Sequence, residues 1–166
     1  MSRAAVRTIA ALLLPLAAAA SARAIERGPL PVFELQTADG PATTSDRLVH
    51  PGPWLIIVVR PQCPPCAAVL RSLAAAEQPA VRERTVIISL GDRAALSEWT
   101  GRFPAAAGAQ WFADGSGAAA AALKVENAPL IFGLRDRTIE WSVGGVFSDS
   151  ADIRSIASSW IAGASR

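Results

Sequence analysis

The chain holds two cysteines, Cys63 and Cys66, three residues apart with Pro64 and Pro65 between them. On a helix, residues at that separation share one face about 5–6 Å apart, within the span a disulfide bridges, so the sulfurs can join and part with little backbone movement. The flanking residues supply such a helix. Residues 54–59 (Trp-Leu-Ile-Ile-Val-Val) are unbroken apolar, β-branched and too few for a helix, which is how a strand buried on both faces reads; Val69, Leu70, Leu73 and Ala74 then recur at helical spacing. Cys63 therefore falls at a helix N-terminus at the carboxyl end of a central strand, where α/β sheets place chemistry.

Proline is tolerated in a first helical turn because those N–H groups have no partner within the helix, so Pro64 and Pro65 stiffen the loop while removing two donors that would have faced a Cys63 thiolate. The helix dipole, with Arg60 nearby in sequence, is expected to lower the Cys63 pKa below the free value of about 8.5 and make this sulfur the attacking one. Cys66, one turn further in and followed by Ala67 and Ala68, is expected to be the more buried, resolving thiol. A purely structural disulfide is a weaker reading, because so short a loop removes little entropy from the unfolded chain. A metal site fails on count: two sulfurs and the distant His50 fall short of the four ligands of a closed zinc site. His50, beside Pro51, reads as a solvated loop residue.

The remaining elements are expected as follows. Residues 31–35 (Pro-Val-Phe-Glu-Leu) read as a strand and 37–53 as one long surface loop with a helical turn at 45–49. Residues 63–77 form the helix that Pro79 stops, 84–90 a second buried strand, and Asp92 caps a helix carrying Leu96, Trp99 and Phe103. Residues 110–113 read as a short strand, 115–125 as an Ala-rich helix, 129–134 and 138–143 as a hairpin, and 149–162 as a closing helix with Ile153, Ile156, Trp160 and Ile161 on one side. Alternating βα units followed by a hairpin and a final helix predict an α/β sandwich around a mixed sheet.

Of 166 residues, 51% are hydrophobic and 18% charged, which excludes a disordered tail. Part of the apolar fraction is not core. Residues 1–24 read as a secretory signal, with Arg3 and Arg7 ahead of the apolar run at 9–20 and Ala22-Arg23-Ala24 as the cleavage site. Cleavage after Ala24 leaves 142 residues, 25–166, enough for one domain. Arg3, Arg7 and Arg23 leave with the signal, so 16 basic residues become 13 against 14 acidic ones, and no basic cluster remains to bind nucleic acid. An uncleaved N-terminal membrane anchor is the alternative, although the apolar run is short and holds Pro15.

In these features the chain resembles the thioredoxin superfamily, and within it the exported TlpA-type thiol-disulfide oxidoreductases. The residues that carry the resemblance are Pro31-Val32-Phe33-Glu34-Leu35 with Asp39-Gly40, the strand into Cys63-Pro64-Pro65-Cys66, Ala113-Asp114-Gly115, and Asn127-Ala128-Pro129-Leu130-Ile131-Phe132. It implies a three-layer sandwich with a mixed central sheet flanked by helices. It implies further that Pro129 is a cis-proline facing the disulfide and that Ala128 offers backbone groups to a bound peptide; a trans proline at a strand start is the alternative. The chain departs from the pattern at two positions. Ile57 stands where many thioredoxins carry a buried acid six residues before the first cysteine, and Gln62 stands in place of the common Trp, giving a more polar rim to the substrate face. Glu126 has two readings, a proton shuttle or a solvated loop carboxylate.

The resemblance implies a periplasmic or otherwise exported enzyme that exchanges its Cys63–Cys66 dithiol with cysteines of partner proteins, acting as a reductant of the cytochrome c or metalloenzyme maturation type. It would be recharged by a membrane electron donor and would use no metal, nucleic acid or small-molecule cofactor. An exported binding module using the cis-proline groove, with a structural disulfide, is the alternative. A peroxidase of the same fold is disfavoured, since the Thr/Ser and Arg pattern that accompanies its cysteine is not found.

Overall fold

Six unbroken apolar residues ahead of the cysteine pair require a strand covered on both faces. The computed structural model, which describes residues 27–48, 50–145 and 150–163, places them inside an eight-stranded sheet; the expected signal at 1–24 lies outside the described residues. In chain order the strands are β1 (Gly28–Pro29), β2 (Glu34–Thr37), β3 (Ala42–Thr44), β4 (Pro53–Val59), β5 (Thr85–Leu90), β6 (Gln110–Asp114), β7 (Leu130–Arg135) and β8 (Thr138–Gly144). The helices are α1 (Pro64–Ala74), α2 (Pro79–Glu83), α3 (Arg93–Arg102), α4 (Ala118–Ala122) and α5 (Ser150–Ala162). The strand order is β1-β8-β7-β4-β5-β6-β2-β3, with β4, β5 and β6 parallel and β7 antiparallel to β4. The sheet is mixed, as expected.

Two apolar clusters cover its faces. Leu55, Ile57 and Val59 of β4 point to the side where α1, α3 and α5 pack, among them Cys66, Leu70, Trp99 and Ile153. Trp54, Ile56 and Val58 point to the other side, covered by Ala119 and Leu123 at α4 and by Leu30 and Phe33 of the N-terminal segment. The alanine run of α4 permits a close approach of that short helix to the sheet.

Several boundaries differ from expectation, each for a local reason. Residues 31–33 are not in a strand, because the buried hydroxyl of Ser45 donates to Pro31 O (2.7 Å) and accepts from Phe33 N–H (3.1 Å), taking the place of ladder bonds. The loop over 37–53 contains β3, paired to β2 around a turn at Asp39–Gly40, where Gly40 adopts φ +107°. The expected helical turn is a 3-10 turn at Ser45–Arg47. Pro79 does not only stop α1; it opens α2, where its missing N–H costs nothing. The Ala-rich helix is shortened to Ala118–Ala122: Asp114 turns the chain by accepting from the N–H groups of Ala119 (3.1 Å) and Ala120 (2.8 Å).

At the end of β4 away from the cysteines, side chains lock the hairpin and α5 together. Trp54 Nε1–H donates to Asp136 O (2.6 Å), Gly52 N–H donates to Asp136 Oδ1 (2.8 Å), and Trp160 Nε1–H donates to Trp54 O (3.1 Å). Trp160 meets Trp141 edge to face, centroids 5.6 Å apart, and Trp141 lies across Gly133 on the neighbouring strand. A Cβ at position 133 would fall inside the indole. Gly133→Ala is accordingly expected to displace Trp141 and lower stability by about 1–3 kcal/mol, the usual cost of overpacking; urea denaturation monitored by tryptophan fluorescence checks this.

His50 is not the solvated residue expected from its neighbours. Its ring packs on Trp54, centroids 5.5 Å apart, and Nε2 is buried without a partner. Burial first, and then the charge of Arg84, holds the imidazole below its ordinary pKa. The folded state thus prefers neutral His50, while the unfolded chain takes up a proton below about pH 6.5. The stabilisation is present above that pH and is lost as pH falls toward the depressed folded value. Denaturant midpoints measured from pH 7.5 down to about 5 should fall less in His50→Gln than in the parent.

Candidate functional site

The chain leaves β4 at Val59, and four residues later Cys63 becomes the N-cap of α1, with φ −106° and ψ 100°. Between them Gln62 is exposed and takes φ +55°, a left-handed conformation uncommon for a side chain of its kind. Pro61 lies close to Gly91 in the turn after β5, where φ is +140° and an added Cβ would crowd Ala95 of α3. Pro64 and Pro65 occupy the first two helical positions, so the first amide free to turn back is that of Cys66, which donates to Cys63 Sγ at 3.1 Å. Ala67 N–H donates to Cys63 O at 3.1 Å and starts the helical ladder.

Cys63 and Cys66 form a disulfide across a Cα separation of 5.2 Å. The two sulfurs sit in different surroundings. Cys63 is half-buried and followed by an exposed Pro64, whereas Cys66 is 0% exposed and lies in the apolar cluster of Ile57, Val59 and Leu70. Ile57 itself is 2% exposed on that face and places an aliphatic side chain there.

Strand β7 runs antiparallel to β4, which brings its start to the same end of the sheet. The Ala128–Pro129 peptide bond is cis, Pro129 is buried, and Ala128 O approaches Cys63 Sγ to 3.7 Å. In the disulfide that sulfur has no proton to give, so the approach is a contact; a Cys63 thiol would find an acceptor there. Gly144 and Gly145 close the same edge. Gly145 N–H donates to Pro129 O at 3.2 Å, and a Cβ on Gly144 would meet Leu130 and Pro129 O. Gly91 closes β5 as its place after the strand pattern predicts, whereas Gly144 and Gly145 carry only the signal of a Gly-Gly pair ending a strand pattern.

The structure thus groups Cys63, Cys66, Gln62, Pro64, Pro65, Ala128 and Pro129 at one end of the sheet. Arg60 and Glu126 are both exposed, and neither has a hydrogen bond to the cysteine pair among the described residues. His50 lies before β4 and Cys63 after it, roughly 20 Å apart by strand length. Among the described residues no group of three His, Cys, Asp or Glu is placed to hold a metal ion, and no helix is long and apolar enough to cross a membrane.

No protein-family model matches the sequence, and no curated protein matches it. Solved structures do. A secreted Mycobacterium tuberculosis disulfide oxidoreductase homologous to E. coli DsbE superposes with a TM-score of 0.60 at 16% identity, covering 76% of this chain and 95% of that one. A thiol:disulfide interchange protein of the thioredoxin family from Chlorobium tepidum TLS gives 0.61 at 14% identity, covering 82% and 97%. The peroxidoxin BcpB from Mycobacterium tuberculosis gives 0.63 at 15% identity, covering 81% and 94%. The chain has the thioredoxin fold.

The difference in burial between the two sulfurs sets a prediction. Brief alkylation of the reduced protein near neutral pH should modify Cys63 well before Cys66, read by peptide mass analysis. Equal labelling of both thiols would contradict the asymmetry.

Proposed function

We propose that the protein is an exported thiol-disulfide oxidoreductase working as a reductant on cysteines of partner proteins. The observation that carries the reading is the asymmetric disulfide: Cys63 Sγ sits at the mouth of α1, beside Ala128 O and one amide donor, while Cys66 is sealed beneath it. In the dithiol form the Cys63 thiolate attacks a partner disulfide, and one partner sulfur leaves as a thiol. Cys66 then attacks Cys63 Sγ in the mixed disulfide, releasing the second partner sulfur and leaving Cys63–Cys66 oxidised. Two electrons pass from the protein to the partner, and a membrane electron donor returns them.

The direction is argued from the donor count. A strong oxidant stabilises its reduced form by holding the thiolate. Here Pro64 and Pro65 withhold two amide donors from Cys63 Sγ, leaving that of Cys66, and the Ala128 carbonyl opposes negative charge. Gln62, exposed beside Cys63, and the Ala128 backbone would meet the partner chain, with Arg60 and Glu126 on the surrounding surface. Export rests on residues 1–24, with the mature domain starting at Ile25 and the partners exported proteins of the cytochrome c or metalloenzyme maturation kind.

Cys63→Ala should abolish reduction of insulin by the protein, and Cys66→Ala should accumulate mixed disulfides visible on a non-reducing gel. Turnover without Cys63 would overturn the proposal.

A further inference from the structure

Five polar residues are buried among those described: Ser45, Ser72, Thr85, Ser89 and Asp114. Four are satisfied. Ser45 holds Pro31 and Phe33, Asp114 caps α4, Ser72 Oγ donates to Ala68 O at 3.0 Å, and Thr85 Oγ1 donates to Val81 O at 2.5 Å. Ser89 is 0% exposed and its Oγ has no partner. A hydroxyl taken from water and given nothing in return is a net cost to the fold, and such groups are few in native structures.

The position of Ser89 suggests what it is kept for. Side chains alternate along β5: Val86 and Ile88 enter the cluster over α4, whereas Ile87 enters the one containing Cys66. Ser89 shares the face of Ile87. It is abreast of Val59 in the parallel β4–β5 pair, and Val59 belongs to the same cluster as Cys66. It is also two residues before Gly91, where the turn after β5 lies against the cysteine loop. Ser89 therefore stands on the Cys66 side of the sheet at its cysteine-bearing end, where Ile57 supplies no polar group.

We propose that Ser89 is a positioning residue for Cys66: its hydroxyl, unpartnered in the disulfide, becomes the hydrogen-bond donor to the Cys66 sulfur once the disulfide opens, directly or across one water. The proposal rests on the exchange reaction proposed above and assigns the resolving half of it a residue. Ser89 removes no proton, since a hydroxyl is too weak an acid and base for that. It stabilises the Cys66 thiolate while the Cys66 proton ends on the departing partner sulfur. The new bond is Cys63–Cys66, the broken one is Cys63–partner, and the partner leaves as a thiol.

The test separates this role from a packing one. In a Cys63→Ser background, the thiolate absorbance of Cys66 is titrated with Ser89, Ser89→Ala and Ser89→Thr. A hydrogen bond to a charged acceptor is worth about tenfold or more in the ionisation equilibrium, so Ala should raise the midpoint by roughly one pH unit and Thr should restore it. With both cysteines present, Ser89→Ala should slow release of a partner from the mixed disulfide by about tenfold, and its oxidised form should melt no lower than the parent. An unchanged Cys66 midpoint, a shift that Thr fails to restore, or a clear loss of oxidised-state stability in Ser89→Ala would overturn the assignment. Absence of exchange in the parent would count against the proposed function, and the titration would still judge Ser89.

Discussion

Strand β4 carries no charged side chain and is buried along its whole length, so folding has to cover both of its faces and satisfy both of its edges at once. Each large side chain so buried contributes about 1.5–3 kcal/mol before conformational entropy is charged against it. The chain meets the demand with β5 parallel on one edge and β7 antiparallel on the other. Much of the site follows from this pairing. A parallel neighbour requires a crossover, which is α1 with α2, and its first turn is where Cys63 emerges. An antiparallel neighbour starts where β4 ends, which brings Ala128 and Pro129 to that same place from 65 residues along the chain.

The disulfide is asymmetric because helix geometry and core burial act in one direction. A residue at the N-cap lies half outside the packed layer, and the residue three positions on faces inward. Proline at the two intervening positions leaves the Cys66 amide to bond back to Cys63 Sγ. The apolar surroundings of Ile57, Val59 and Leu70 enclose Cys66 completely. Partial exposure of one sulfur and enclosure of the other thus share a single cause, the depth of α1 in the core.

The opposite end of β4 is built for rigidity. Three tryptophans, a glycine under one of them and the Asp136 turn tie β4, the β7–β8 hairpin and α5 into one network. Trp54 and Trp160 are both amphipathic, so each can fill apolar space while its N–H satisfies a backbone carbonyl. The positive φ values of Gln62 and Gly91 fall at the other end, in the loops after β4 and β5.

The sequence alone determined the features that local periodicity and spacing encode. The apolar run of β4, the helical repeat after Cys63, the Asp92 cap and the hairpin are short-range patterns, and each lies where its residues placed it, to within a few positions. The proximity of Cys63 to Cys66 belongs with them, because a three-residue spacing on a helix leaves little freedom. What lies across the sheet was decided by tertiary structure. β3 is too short to show a period, His50 is desolvated by a tryptophan four residues on, and the unsatisfied hydroxyl of Ser89 becomes visible only once its neighbours are known. Gly133 and Gly144 carry no local signal of what they face, yet a Cβ at either would meet the neighbouring strand, Trp141 at one and Leu130 with Pro129 O at the other. A chain's own pattern reports which side of an element is buried; what it is buried against is a long-range fact, set by strand order and packing.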